Sequence, residues 1–144
     1  MPRKKATKSK MYKIVPTEAQ EQYAVMQWAR LNKVNLVHHA NEGRRTNAEG
    51  ARLKALGLAV GYPDLSLNVA RGGYFGLFIE LKRNRVYTPS EINSSTWQAQ
   101  LRWLDALQRE NYVARMCFGF DMCRGLIEKY ILLPETVRFL TIKI

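Results

Sequence analysis

Two long segments of the chain place apolar residues at helical spacing. The first runs from Thr17 to about Asn32, and Ala19, Tyr23 and Met26 recur along it every three or four positions. Thr17 and Gln20 predict a capping box at its start. The second runs from about residue 96 to residue 110, and its apolar side carries Trp97, Leu101, Leu104 and Leu107. Both patterns indicate helices that pack one face against a core.

Between and after these helices, shorter apolar runs predict strands at residues 36–40, 65–70, 74–82 and 112–118. Arg71-Gly72-Gly73 supplies the chemistry of a tight hairpin turn between two of them. We also expect a short helical piece at 51–56, a polar loop at 83–95, a short helix at 121–128 and a final extended piece at 130–133. The main order, α-β-β-β-α-β, predicts an α/β fold in which helices flank a mixed sheet.

The length and charge add a partner class to this picture. A chain of 144 residues suits one domain, which we place at residues 14–144. Residues 1–13 carry six basic residues and no acid, and they are expected to form a basic flexible N-terminal arm. The formal net charge of +11 favours a polyanion such as nucleic acid through counterion release.

Other bulk features exclude whole classes of protein. Cys117 and Cys123 are too few for a disulfide framework, so we expect reduced, buried thiols. No run approaches about 18 apolar residues, and no apolar stretch follows the basic start. We therefore expect no membrane partner and an intracellular location, in the cytoplasm or nucleoid. The compact form would suit a phage or a mobile element.

Three charged residues form the candidate chemical centre. Asp64 stands where Gly61-Tyr62-Pro63 leads into a strand, while Glu80 and Lys82 alternate with apolar residues and so share one strand face. Pairing of the two strands can bring Asp64 beside that face. Clustered carboxylates need a neutralising partner, and a hard cation such as Mg²⁺ prefers such oxygen ligands. With a nearby lysine, such a site can hydrolyse a phosphodiester.

These residues carry a resemblance to a known family. Asp64 followed by Glu80-Leu81-Lys82 resembles the split Asp…Glu-x-Lys signature of the PD-(D/E)XK nuclease superfamily. The pattern is most similar to the virus-type replication-repair nuclease (VRR-NUC) domain and covers roughly residues 17–120. Its pieces here are Glu18 on the first helix, His39-Ala40-Asn41-Glu42-Gly43, Gly61–Leu65, Leu77–Lys82, and Gln100 with Trp103, Leu104 and Leu107. The resemblance implies a restriction-endonuclease-like core.

The resemblance also implies a role for each site residue. Asp64 and Glu80 match the metal-binding carboxylates, the backbone carbonyl of Leu81 is a further metal ligand, and Lys82 matches the catalytic lysine. Glu18 matches the acid on the first helix, with Glu21 as its competitor. Gln100 matches the family glutamine, with Gln98 as its rival. Helical spacing favours Gln100, because it shares the stripe of Leu104 and Leu107. The implied cofactor is Mg²⁺, with Mn²⁺ as a possible substitute.

Two further groups of residues are candidates for binding. A cluster of basic residues near the site in sequence is expected to hold DNA phosphates, or else to be a solvated loop: Arg44, Arg45, Arg52 and Lys54. His38 and His39 are the only histidines, and they are adjacent. They are too few for a zinc site, so a packing role or a place in a substrate loop is favoured.

The leading functional hypothesis is a metal-dependent, structure-selective DNA endonuclease. The resemblance implies a Holliday junction (four-way junction) resolvase that acts as a homodimer on branched or double-stranded DNA. A flap or general DNA repair nuclease shares the same chemistry and differs in substrate shape. A non-catalytic nucleic-acid-binding protein explains the charge equally well, but it gives no reason for carboxylates beside phosphate.

Overall fold

Helices and strands alternate along the chain around one small sheet. The structure, a computed structural model, describes residues 14–40 and 46–136. The elements in chain order are α1 (Glu18–Leu31), β1 (Leu36–His38), α2 (Asn47–Ala55), β2 (Leu65–Leu67), β3 (Leu77–Lys82), α3 (Pro89–Ile92), α4 (Ser95–Arg109), β4 (Val113–Phe118) and α5 (Gly119–Ile131). The predicted mixed α/β fold is confirmed. The 1–13 arm lies outside the described residues.

The sheet has the order β1-β2-β3-β4 and mixes both pairing directions. β1, β2 and β3 pair antiparallel, and β3 pairs parallel with β4. The predicted turn after Ala70 exists, because Arg71 and Tyr74 form a bridge across Gly72 and Gly73, both at positive φ. Since β3 is the central strand beneath helices on both sides, all six of its residues are buried.

Each face of the sheet packs against different helices. Leu77, Ile79 and Leu81 face a core built with α1 and α5, where Val25 and Ile127 are fully buried. The opposite face has a second core, formed by Phe78, Ala114 and Leu104 of α4 with half-buried aromatic residues around them. Glu80 and Lys82 alternate with Ile79 and Leu81 along β3. They therefore share the face of Phe78.

The predicted start of α1 is confirmed. The Thr17 backbone N–H donates to Gln20 Oε1 (2.8 Å), and the Gln20 N–H donates to Thr17 Oγ1 (3.2 Å), which completes the capping box. This cap positions the first turn of α1, where Glu18 and Glu21 both lie. In α4, Leu104 is buried as predicted, whereas Leu101 is 40% exposed.

Two predictions for the second half of the chain were wrong. The extended piece at 130–133 does not form, because α5 continues to Ile131. Cys123, Ile127 and Tyr130 lie on one buried face of that helix, and the Tyr130 hydroxyl donates to the Val69 carbonyl (2.7 Å). The polar loop at 83–95 contains the short helix α3, which a capping box at Thr88 begins. No helix among the described residues is long and apolar enough to cross a membrane.

Candidate active site

Asp64 is delivered to the site by a turn that only glycine permits. Gly61 has φ +78°, and a Cβ there would lie 2.8 Å from Ala99 and from the backbone nitrogen of Gln100. The turn therefore packs directly on α4. Pro63 is fully buried, and Asp64 follows it as the last residue before β2. The same contact fixes the distance between the Asp64 turn and the helix that carries Gln100.

The strand register brings the two carboxylates together. Leu65 pairs with Ile79, so the next antiparallel position sets Asp64 opposite Glu80. Asp64 Oδ2 accepts a hydrogen bond from the Leu81 backbone N–H (2.8 Å), and the residues Asp64 and Glu80 are 5% and 1% exposed. Sequence reasoning expected this convergence, and the pairing of β2 with β3 produces it. Leu81 contributes its backbone here, because its side chain lies in the core.

Lys82 neutralises these acids within the chain. Its ammonium donates to Glu80 Oε1 (2.7 Å) and lies 4.0 Å from Glu18 Oε2. Burial alone would lower the pKa of Lys82. The opposing attraction and hydrogen bond of Glu80, with the charges of Glu18 and Asp64, raise that pKa above its ordinary value. The neighbouring carboxylates therefore favour the charged form of the lysine.

The two glutamates of the first helical turn have different positions. Glu18 is 30% exposed and faces Lys82. Glu21 instead points to the start of α5, where its Oε2 accepts the Phe120 backbone N–H (2.7 Å). That bond satisfies one of the donors that a helix start leaves open, in a helix with no side-chain cap of its own. The structure thus places Glu18 beside the candidate centre and Glu21 in a helix cap.

The two candidate glutamines also separate. Gln100 is 4% exposed and lines a groove that Lys82, Glu18 and Trp97 also line. Gln98 is less buried, and its amide donates to the Ile92 carbonyl (2.9 Å), which ties α4 to α3. Gln100 is therefore the glutamine that lies beside the lysine.

The oxygen donors at this centre are of the kind that Mg²⁺ prefers. Asp64 and Glu80 supply adjacent carboxylates, and Glu18 lies across Lys82 from them. The Leu81 backbone carbonyl is the further ligand that the resemblance implies. Among residues 14–40 and 46–136, no three His, Cys, Asp or Glu side chains are grouped closely enough to hold a metal by themselves. A cation here would therefore use the two strand carboxylates with backbone or water oxygens, which suits an ion that keeps several waters.

Of the four predicted phosphate-binding residues, the structure describes two, Arg52 and Lys54. Arg52 and Lys54 are exposed on α2, which buries none of its residues and contacts no other helix or strand in the described part of the chain. Arg44 and Arg45 lie outside the described residues. Their proposed contact with DNA stays a prediction.

His39 has the packing role that its sequence context favoured. Its Nε2 lies 2.9 Å from Ser66 Oγ, and its ring meets Tyr62 edge to face with centroids 5.3 Å apart. Burial, and to a lesser extent the neighbouring His38, lowers the pKa of His39. A largely neutral, packed imidazole supports the turn that carries Asp64.

Sequence reasoning missed the residues that follow Lys82. Arg83 donates to the carbonyls of Pro16 (2.8 Å) and Val15 (2.9 Å), and Tyr87 meets Trp97 with ring centroids 5.0 Å apart. Lys82 Nζ lies 5.9 Å from the Trp97 ring centroid. The density of Arg and Tyr directly after the strand was the available signal. Its polar composition made the segment look like an unstructured link.

The comparisons with known proteins agree with this geometry. The family model of the VRR-NUC domain matches residues 6–121, which is most of the chain. The chain belongs to the VRR-NUC family. A solved structure described as a VRR_NUC domain protein is 31% identical in sequence, with a TM-score of 0.68, and the match covers 83% of this chain and 92% of that one. No curated protein matches the chain. The family implies a nuclease of the PD-(D/E)XK type.

Proposed function

We propose that this VRR-NUC chain is a Mg²⁺-dependent endodeoxyribonuclease that cuts branched DNA, with the four-way junction as its preferred substrate. One observation carries the proposal: Asp64 and Glu80, both buried, meet across paired strands beside the protonated Lys82. Burying two carboxylates together is costly for a protein that only binds DNA, and it opposes the approach of phosphate. The arrangement is useful where a divalent cation mediates between acid and phosphate.

Each residue then has a definable task. Asp64, Glu80 and the Leu81 carbonyl would hold Mg²⁺, or Mn²⁺ in its place, with Glu18 at the outer side. When bound, the ion supplies Lewis acidity toward a phosphodiester oxygen and a water of lowered pKa. Asp64 keeps its orientation through the Leu81 N–H, so it can bind a cation without first reorganising.

Lys82 is held where charge builds up on a phosphate during hydrolysis. As a cation held by Glu80, it would stabilise negative charge on the phosphate and orient a water molecule. Gln100 lies on the same groove, and its side-chain carbonyl can accept a hydrogen bond from a water molecule there.

The branched substrate and the homodimer are part of the same proposal. Symmetric cleavage of a four-way junction needs two active centres related by a two-fold axis, which a homodimer provides. The net charge of +11 supports binding to the dense phosphates of such a junction. The support for junction preference is family resemblance, so the experiment must include other DNA shapes.

The test is a panel of labelled single-stranded, duplex, flap and four-way DNA, incubated with Mg²⁺, Mn²⁺, Ca²⁺ or EDTA. We expect nicking in Mg²⁺ or Mn²⁺, fastest on the four-way junction, with paired nicks at symmetric positions. Asp64→Asn, Glu80→Gln and Lys82→Ala should each slow nicking by at least about a hundredfold. Glu49→Gln, an exposed acid on α2, is the matched control and should cut normally.

Three outcomes would contradict parts of this proposal. If the chain bound every substrate but cut none of them with any divalent metal, the hypothesis of a non-catalytic nucleic-acid-binding protein would be favoured. Faster cutting of flaps than of junctions would favour a flap or repair nuclease. Light scattering that finds a monomer on the junction, together with unpaired nicks, would remove the homodimer.

A further inference from the structure

A groove opens directly beside the Lys82 ammonium, between the segment after β3 and the first turn of α4. Its lining includes Lys82, Arg83, Ser94, Thr96, Trp97 and Gln100. A DNA strand whose scissile phosphate lies at Lys82 would place an adjoining nucleotide in this groove. Three separate features of the groove suit a phosphate.

The first feature is the start of the 15-residue helix α4. The Ser94 hydroxyl accepts the Trp97 N–H (3.3 Å), and the Ser94 carbonyl accepts the Gln98 N–H (3.0 Å). The backbone N–H groups of Ser95 and Thr96 have no acceptor among the described residues, and the first turn contains no acid. Such a helix start favours an anion through its open donors and its dipole.

The second feature is the Gln100 side chain, one helical turn further along. Gln100 is 96% buried and lines the groove, and its side chain makes no hydrogen bond with any part of the chain that the structure describes. Buried amides are normally satisfied, so an unbonded one on a groove wall indicates a ligand that supplies the partner. A phosphate oxygen can accept from its NH₂ group.

The third feature is the charge of Arg83. Its Nε and Nη2 donate to backbone carbonyls of Pro16 and Val15, so the guanidinium is fixed, while no described carboxylate forms an ion pair with it. Arg85 differs, because Glu91 of the same groove pairs with it. Arg83 therefore adds a positive charge that is not part of an ion pair, while the other acid of the groove, Glu18, lies 4.0 Å from the Lys82 ammonium.

From these features we propose that the groove is a second phosphate subsite, which binds the DNA phosphodiester next to the one that is cut. The Thr96 N–H and hydroxyl groups and the Gln100 amide would contact its oxygens, and Arg83 would supply charge. The subsite rests on the proposed nuclease function, because it is defined relative to the scissile phosphate. Its ligand is a singly charged phosphodiester within a DNA strand.

The experiment measures DNA binding rather than cleavage. Fluorescence anisotropy in Ca²⁺ is recorded for the full chain with a series of four-way junctions, each carrying one neutral methylphosphonate at a different position. For the wild type we expect weaker binding, by about tenfold, where the subsite phosphate is neutralised. Thr96→Val should bind the unmodified junction about fivefold more weakly and lose most of the sensitivity at that one position. Thr96→Ser, which keeps the hydroxyl, should retain it.

The subsite would be overturned if the wild type and Thr96→Val lost binding at the same methylphosphonate positions. The control is Ser90→Ala, which removes an exposed hydroxyl on α3 outside the groove. Loss of the position-specific sensitivity in this control would also overturn the subsite. An absence of DNA binding would overturn it as well. The proposed nuclease function fails separately, through absence of scission in Mg²⁺ and Mn²⁺. Where cleavage occurs, Thr96→Val must lose its sensitivity at the phosphate next to the nick. Loss of sensitivity at a distant phosphate would also refute the subsite.

Discussion

The buried ion pair of Lys82 with Glu80 gives the sharpest stability prediction. The Nζ–Oε1 distance is 2.7 Å, and the two side chains are 9% and 1% exposed. Lys82→Met keeps a similar length and shape but removes the charge, so Glu80 is left buried beside Asp64 without its cation. Breaking a buried pair in this way costs about 3–5 kcal/mol.

The upper limit of this cost follows from proton binding. Protonating an ordinary glutamate at pH 7 costs about 4 kcal/mol. If the unpaired charge destabilised the variant by more than this, Glu80 would take up a proton instead, so this value limits the loss of stability. Glu18 contributes little, because it lies 4.0 Å from the ammonium and is 30% exposed. We therefore expect Lys82→Met to lose about 3 kcal/mol, or about 10 °C in melting temperature for a domain of this size.

The assay is urea and thermal unfolding of three proteins: the wild type, Lys82→Met and the double variant Lys82→Met/Glu80→Gln. The double variant removes the uncompensated charge, so it should recover at least half of the lost stability. Added Mg²⁺ should raise the melting temperature of Lys82→Met more than that of the double variant, since only the former keeps both carboxylates. If Lys82→Met were as stable as the wild type, or the double variant less stable than the single one, the account of this pair would be refuted.

Three further predictions concern other parts of the site. Asp64→Asn should reduce nicking by at least about a hundredfold while unfolding within about 1 kcal/mol of the wild type, because an amide oxygen can still accept the backbone N–H that Asp64 binds; urea titration and a nicking assay check both. Glu21→Ala should lower the free energy of unfolding by about 1–3 kcal/mol, because the Phe120 N–H loses its acceptor. Under conditions where the variant is folded, we expect it to nick DNA at the wild-type rate, which would show that this cap is not part of catalysis. The Arg85 guanidinium and the Thr88 cap lower the pKa of Glu91 to about 2 from 4.5. This pairing should stabilise the fold above about pH 4.5, and the stabilisation should be lost as the pH falls toward 2. In Arg85→Gln, NMR titration of the Glu91 carboxyl should give a pKa closer to its ordinary value.

Local signals determined the framework of this protein. Thr17 and Gln20 satisfy each other within four residues, so the start of α1 could be predicted without knowing what it packs against. The alternation in Leu77–Lys82 placed Glu80 and Lys82 on one face, because the period of a strand is independent of its neighbours. The turn at Gly72 and Gly73 set the pairing of β2 with β3, which brings Asp64 to Glu80.

Composition misled where long-range packing outweighs local preference. Residues 83–95 are polar, yet Arg83 binds carbonyls 67 and 68 positions away. The start of α3 is different, because its capping box of Thr88 and Glu91 is a local signal that the polar composition obscured. Residues 130–133 look extended, yet the last turn of α5 is held by burial of Tyr130 and its bond to Val69. Contacts between distant segments leave no periodic trace in either segment.

What the sequence determined by itself was the set of acids and the lysine, their order, and the strand faces on which Glu80 and Lys82 lie. Only the tertiary structure decided which of the two candidate glutamates on α1, and which of the two candidate glutamines on α4, lies at the centre. Glu18 and Glu21 stand one turn apart on α1, and the separation arises because the start of α5 takes Glu21 as its cap. Gln100 lines the groove beside Lys82, and Gly61 lets the Asp64 turn pack against α4 at that residue. Both choices depend on where a second element lies, and helical spacing along one segment carries no information about that.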